Sequence, residues 1–129
     1  MLSRRQVLAC SVLAAFWGAA PARAAETPFT AESFAAARRA GKLILVEVHA
    51  SWCPVCKAQI PIIAELAADP KFADLVILRV DFDAQKATLR NFRVLSQSTL
   101  IVFKGEKELG RSVGDINPFS IEELLLRGV

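Results

Sequence analysis

Two cysteines separated by two residues are the side chains in this sequence with the clearest chemistry. Cys53 and Cys56 belong to the segment Trp52-Cys53-Pro54-Val55-Cys56, which follows an apolar run and opens a helical pattern. A thiol at the start of a helix faces unpaired backbone N–H groups and the positive end of the helix dipole, and both stabilise a thiolate. Thiolate is the nucleophile in disulfide exchange, and a second thiol one turn later can resolve the mixed disulfide. We therefore predict that Cys53 attacks and that Cys56, covered by the helix, resolves.

Other uses of such a pair fit the sequence less well. A structural zinc site usually needs four ligands, and the chain offers this pair with His49, its single histidine. A structural disulfide here would close a loop too short to stabilise the fold much. Haem attachment requires a histidine after the second cysteine, where Lys57 stands. The alternative function is a metal-binding module or metallochaperone that takes further ligands from a partner. The sequence predicts no resident metal or cofactor.

The first 24 residues have the features of a cleavable export signal. A basic start with Arg4-Arg5 leads into an apolar run over 7–20, and Ala22-Arg23-Ala24 supplies a small-residue cleavage site. The run is shorter than the roughly 20 residues that span a bilayer as a helix. The paired arginines favour a twin-arginine signal over an ordinary secretory one. We predict a periplasmic protein, soluble after signal removal and monomeric, with one domain over 25–129.

Cleavage would change the charge of the chain. The full sequence has 16 Lys and Arg against 13 Asp and Glu, and the signal holds three arginines and no acid, which leaves the domain neutral. A neutral domain lacks the basic excess that nucleic-acid binding requires. Cleavage also removes Cys10, the third cysteine. We therefore expect protein partners, namely a disulfide or dithiol substrate and a candidate membrane electron donor, and no nucleic acid.

The patterns along the domain predict an α/β fold. Apolar runs typical of strands buried on both faces occur at Leu43–Val48 and Leu75–Val80, and a Gly-containing turn joins two further strands at Thr99–Phe103 and Glu108–Val113. Helices are predicted at 31–40, from the cysteines to about 68 with a kink at Pro61, at 84–92, and from Pro118 to Arg127. Residues 25–30 are predicted to be a loose N-terminus. This order implies a mixed β-sheet with helices on both faces.

The run 46–57 resembles the active-site strand and turn of thioredoxins, and the likeness extends over nearly all of the domain. Pro61 matches the kink proline of that family, and Lys104-Gly105 and Gly114 match its hairpin and late glycine. The approach to the first strand is most similar to the periplasmic branch of thiol–disulfide oxidoreductases. The resemblance implies a thioredoxin-like fold, protein-disulfide oxidoreductase activity as a reductant, and a docking surface to which Trp52 contributes.

Several residues near the cysteines differ from the thioredoxin pattern. Glu47 stands at the position of a buried aspartate, and we expect a raised pKa and proton exchange with Cys56. Pro54-Val55 replaces Gly-Pro and should change the reduction potential. His49 replaces an aromatic residue, and we interpret it as a packing residue.

Ser98 occupies the position at which the family has a cis-proline. A cis bond before a residue other than proline costs about 3–4 kcal/mol, so we predict a trans Gln97–Ser98 bond in a loop that still lies beside the cysteines. Without the ring, Ser98 could turn its hydroxyl or backbone toward the sulfurs. We expect weaker activity on generic disulfides and easier metal capture, and a reversal of both by Ser98→Pro.

Overall fold

The computed structural model describes Gly18 and residues 25–129. The predicted export signal and its cleavage site therefore lie outside the described residues, apart from Gly18. Within the described part, none of the helices has the length and apolar character needed to cross a membrane.

The described domain has a mixed sheet with helices on both faces, as the sequence predicts. Its strands are β1 (Glu26–Pro28), β2 (Leu43–His49), β3 (Leu75–Asp81), β4 (Thr99–Lys104) and β5 (Lys107–Val113). Its helices are α1 (Ala31–Arg39), α2 (Pro54–Ala67), α3 (Lys86–Phe92) and α4 (Pro118–Leu126), with a 3₁₀ turn at Pro70–Phe72. The strand order is β1-β3-β2-β4-β5; the first three are parallel, and β4 runs antiparallel to β2 and β5. Strand β2 is therefore central.

The prediction of a loose N-terminus at 25–30 is wrong. Residues Glu26–Pro28 pair in parallel with β3, and the N–H of Phe29 donates to the carbonyl of Arg79 at 2.7 Å. Phe29 is buried beside the aromatic rings of Phe34 and Phe92. Three residues with a proline carry too little alternation to indicate a strand, so the long-range pairing with β3 decides this element.

The ends of the helices follow local sequence signals. Thr30 caps α1: its Oγ1 accepts the N–H of Ser33 at 3.0 Å, and the Ser33 hydroxyl accepts the N–H of Thr30 at 3.1 Å. Gly41 follows the helix with φ of 67°, a conformation that glycine adopts without strain. At α4, the Asn117 carboxamide accepts the N–H of Phe119 at 2.9 Å, and Pro118 is the first helical residue. The predicted starts of these two helices are confirmed, and each helix ends one residue earlier than predicted.

The core lies in two layers, one on each face of the sheet. Alternate residues of β2 divide between them: Leu43 and Leu45 pack toward α2 and α4, whereas Ile44, Val46 and Val48 pack toward α1 and α3. All five side chains are at most 2% exposed. Because side chains alternate along a strand, Glu47 points to the same face as Leu45, under α2. The fold thus brings a carboxyl group, the end of β2 and the start of α2 to one place.

Candidate functional site

The two cysteines lie at the N-terminal end of α2, as the sequence predicts. Cys53 is the N-cap residue, and Pro54 is the first residue of the helix. The Cys53 sulfur accepts the backbone N–H of Cys56 at 3.1 Å. Both cysteines are free thiols. The Cys53 sulfur thus receives one of the backbone donors that the start of a helix leaves unpaired.

Both cysteines are buried, each with 1% exposure, against Ala50 and the half-buried side chains of Val55 and Phe82. The prediction that Cys56 is covered is confirmed, but Cys53 is covered to the same degree. Solvent exposure therefore does not distinguish the attacking thiol from the resolving thiol in this structure. Their hydrogen bonds do.

Cys56 is held as a thiol. Its sulfur lies 3.9 Å from the carbonyl oxygen of Val48, an acceptor for S–H. Burial, followed by the hydrogen bond with Cys53, raises the pKa of the Cys56 thiol to about 11. At neutral pH this group must lose a proton before it can attack a disulfide, so a nearby proton acceptor would assist it.

Glu47 is the buried acid that the sequence predicts. It is 1% exposed, and its Oε1 accepts a hydrogen bond from Arg79 Nη2 at 3.2 Å, whereas Oε2 has no partner in the described residues. Burial raises its pKa to about 7, although the charge of Arg79 acts in the opposite direction. The raised pKa is confirmed. Proton exchange between Glu47 and Cys56 stays a prediction.

Trp52 is the exposed aromatic residue beside Cys53. Its side chain is half exposed, its indole N–H donates to Asp83 Oδ2 at 2.8 Å, and its ring meets Phe82 edge-on at 6.3 Å. Pro54, also exposed, continues this surface along the helix start. A rigid apolar ring next to a reactive sulfur can bind the chain that carries the substrate disulfide.

His49 ends β2 and is half-buried, opposite Asp81 of β3. Burial, and next the charge of Arg79, lowers its pKa, so the imidazole is neutral at neutral pH. A neutral, partly covered ring is consistent with the interpretation of His49 as a packing residue.

The loop before β4 lies beside the cysteines, as predicted. The described residues contain no cis peptide bond, so the Gln97–Ser98 bond is trans. The Ser98 N–H donates at 2.9 Å to the carbonyl of Val48, the same oxygen that Cys56 faces. The Ser98 hydroxyl donates to the Gln97 carbonyl at 2.5 Å, within the loop. Ser98 therefore presents its backbone, rather than its hydroxyl, toward the cysteine end of the sheet.

Gln59 belongs to the site, and sequence reasoning missed it. The side chain is fully buried one turn after Cys56, and its Nε2 donates to the carbonyls of Ser98 at 3.2 Å and Asp115 at 2.9 Å. The Gly114 N–H also donates to the Ser98 carbonyl, at 3.0 Å. Gln59 thus ties α2 to both loops around the cysteines. The sequence did contain a signal for Gln59, because a polar residue on the buried face of a predicted helix requires buried hydrogen-bond partners.

The metal-binding alternative gains no support from the described part of the chain. No group of three or more His, Cys, Asp or Glu side chains there is arranged to hold a metal ion. The pair Cys53 and Cys56 would need further ligands from another molecule.

Comparison with known proteins identifies a family. The sequence profile of the family Thioredoxin matches residues 26–126. The thioredoxin of Mycobacterium tuberculosis is 40% identical over 73 residues, which are 57% of this chain and 62% of the relative. The thioredoxin of Chlamydia muridarum is 40% identical over 86 residues, 67% of this chain and 82% of the relative. The match to the Mycobacterium protein thus spans less than two thirds of its length.

Solved structures show the same fold. The crystal structure of Trxlp from Edwardsiella tarda has a TM-score of 0.76 and 40% identity, covering 78% of this chain and 98% of that one. Malassezia sympodialis thioredoxin has a TM-score of 0.73 at 18% identity, covering 85% and 95%, and shows the fold alone.

Glu47 should make stability depend on pH. Its pKa is raised from 4.5 to about 7 on folding, so the folded chain keeps a proton that the unfolded chain has released. The stabilisation is complete below pH 4.5 and is lost as pH rises through about 7, a loss of about 3 kcal/mol. Glu47→Gln should remove this loss. Urea unfolding of the reduced parent and of the reduced Glu47→Gln protein between pH 4.5 and about 7 measures this loss. The same dependence of the free energy of unfolding on pH in both proteins would contradict the prediction.

Ser98→Pro should destabilise the fold. Ser98 has φ of 61°, and its N–H donates a hydrogen bond to the Val48 carbonyl. Proline requires φ near −65° and has no N–H to donate. We expect a loss of more than about 1 kcal/mol, and the gain of activity that the sequence suggested should not occur. Ser98→Gly is the matched control, since glycine accepts this backbone conformation. A proline variant as stable as the parent in urea unfolding would show that the loop has another conformation.

Proposed function

Because the chain belongs to the thioredoxin family, we propose that it exchanges the Cys53–Cys56 dithiol and disulfide with a disulfide of a partner protein. The observation that carries this proposal is the position of the Cys53 sulfur at the start of α2. There it accepts a hydrogen bond from the backbone N–H of Cys56 at 3.1 Å. A thiol that meets a backbone N–H at the start of a helix is suited to the attacking role in disulfide exchange.

In the first step, the Cys53 thiolate attacks one sulfur of the partner disulfide. A bond forms between Cys53 and that sulfur, the partner S–S bond breaks, and the other partner sulfur leaves as a thiolate with the electron pair. Trp52, the residue before Cys53, has a half-exposed ring to which the partner chain would bind.

In the second step, Cys56 attacks Cys53. The new Cys53–Cys56 bond forms as the mixed disulfide breaks, and the partner leaves with both sulfurs reduced. Cys56 must first give up the proton that its pKa of about 11 retains. Glu47, with a pKa of about 7, can accept a proton at neutral pH and release it afterwards, which makes it the proton acceptor in this mechanism.

The proposed direction is reduction of the partner. Oxidants of this class draw their power from a strongly stabilised reduced pair. The support here is the family, because thioredoxin has a potential of about −270 mV, at the reducing end of this class. Each turnover leaves Cys53–Cys56 oxidised, so a two-electron donor must act next. For an exported protein, a membrane electron carrier is the candidate donor.

The proposed compartment is the periplasm. The support is the Arg4-Arg5 pair before the apolar run and the small-residue site at 22–24. Replacing both arginines by lysine should leave precursor in the cytoplasm, measured by fractionation, because twin-arginine export depends on that pair. Normal export of the variant would contradict the route.

Trapping tests the order of attack. Cys56→Ser removes the resolving thiol, so it should accumulate mixed disulfides with partner proteins, whereas Cys53→Ser should accumulate few. Non-reducing gels of the purified variants after incubation with an oxidised protein substrate measure both. Equal trapping by the two variants would overturn the assignment of Cys53 as the nucleophile.

The reduction potential tests the direction. We expect a value nearer to about −270 mV than to about −120 mV for the Cys53–Cys56 couple, because the first value is that of thioredoxin, whose family this chain belongs to. Equilibration with glutathione or thioredoxin of known potential measures it. A value close to that of strong oxidants would reverse the proposed direction and leave the exchange chemistry standing.

A further inference from the structure

One arginine nitrogen contacts two carboxylates, an outer one and a buried one. Arg79 Nη2 lies 2.8 Å from Glu26 Oε2 and 3.2 Å from Glu47 Oε1. The Glu26 side chain is 31% exposed and that of Glu47 is 1% exposed. The three residues lie on adjacent strands, β1, β3 and β2. A polar contact therefore runs from the surface of the domain to the acid beneath α2.

Glu26 reaches Arg79 because β1 is docked on the sheet. Pro28 is the residue opposite Arg79, and Glu26 lies two residues earlier on the same face of β1. The N–H of Phe29 fixes the end of this segment to the Arg79 carbonyl. Strand β1, which lies in the segment that we predicted to be loose, therefore places the negative charge of Glu26 against Arg79.

We propose that Glu26 is a positioning residue for thiol–disulfide exchange, which shares Arg79 with Glu47 and so keeps the buried carboxyl able to take and release a proton. This inference rests on the proposed role of Glu47 as the proton acceptor of Cys56. Glu26 itself contacts neither the cysteines nor the partner in this mechanism.

The electrostatic reason is competition for one cation. Arg79 favours the carboxylate form of Glu47, and the negative charge of Glu26 opposes that effect. Their oxygens lie at most about 6 Å apart through the shared nitrogen, a distance at which charges interact measurably even near a protein surface. Loss of the Glu26 charge would leave Arg79 to Glu47 alone. The carboxylate would gain stability, and Glu47 would bind its proton less tightly.

Other charged groups around Glu47 do not replace Glu26. His49 follows two residues later on β2 and is neutral at neutral pH, and Asp81 lies opposite His49 rather than opposite Glu47. On β4 the residue opposite Glu47 is Leu100, which carries no charge. Among the acids of the described residues, Glu26 is the one that shares the arginine of Glu47.

The test is the titration of Glu47 in the reduced, full-length protein, followed by the chemical shift of its side-chain carboxyl carbon. Glu26→Gln should move the midpoint down by about half a pH unit or more. Glu26→Asp retains the charge and should restore most of the parent midpoint. Glu106→Gln is the matched control, because Glu106 forms a surface ion pair of the same length, 2.8 Å, with Arg38. It should leave the midpoint unchanged.

The pH profile of insulin reduction supplies the functional readout. In Glu26→Gln its lower inflection should move in the same direction as the Glu47 titration, while unfolding midpoints identify any loss of stability. A Glu47 midpoint that stays fixed or rises in Glu26→Gln would overturn the sharing of Arg79. A profile that is the same in the parent and in Glu47→Gln would instead overturn the role of Glu47 as proton acceptor, and the role of Glu26 with it.

Discussion

Removal of ionisable groups from water is the constraint on which the site depends. Cys53, Cys56 and Glu47 are each 1% exposed, so solvent stabilises none of their charged forms. The protein must supply that stabilisation from fixed groups, and it does so unequally. The Cys53 sulfur accepts a hydrogen bond from a backbone N–H. Glu47 accepts one from a guanidinium that a second carboxylate shares, and the Cys56 sulfur lies against a carbonyl oxygen. These differences separate a sulfur suited to attack, a sulfur that keeps its proton, and an acid that titrates near neutrality.

The same constraint shapes the loops around the cysteines. Buried backbone groups need hydrogen-bond partners, and both backbone groups of Ser98 have them. The Ser98 N–H donates to the Val48 carbonyl, and the Ser98 carbonyl accepts from Gln59 and from Gly114. A proline at this position could not donate the first bond. The chain therefore holds its loop by a hydrogen-bond network and a left-handed residue at the place where the family has a proline ring. Gln59, in the middle of α2, makes the helix that carries the cysteines part of that network.

Strong local signals account for what could be predicted. The signals for β2, for the starts of α1 and α4, and for the Cys-x-x-Cys pair each act within a few residues of chain, and the structure places all of them as expected. The burial of Glu47 followed from its position inside an apolar strand. Predictions failed where a contact joins distant segments. Strand β1 is too short to show a pattern, and Gln59 finds its partners about 40 residues or more further along the chain.

By itself, the sequence determined which atoms can react, which segments become strands or helices, and that one acid must enter the core. These properties depend on residue type and on spacing within one or two turns of chain. The tertiary structure decided how charge is distributed among those atoms. In the folded domain both cysteines are buried to the same degree, and the Ser98 N–H is hydrogen-bonded to Val48. Glu26 contacts the same arginine as Glu47. Such arrangements arise from pairings across the sheet, where strands distant in sequence meet, and electrostatic energies depend on those distances.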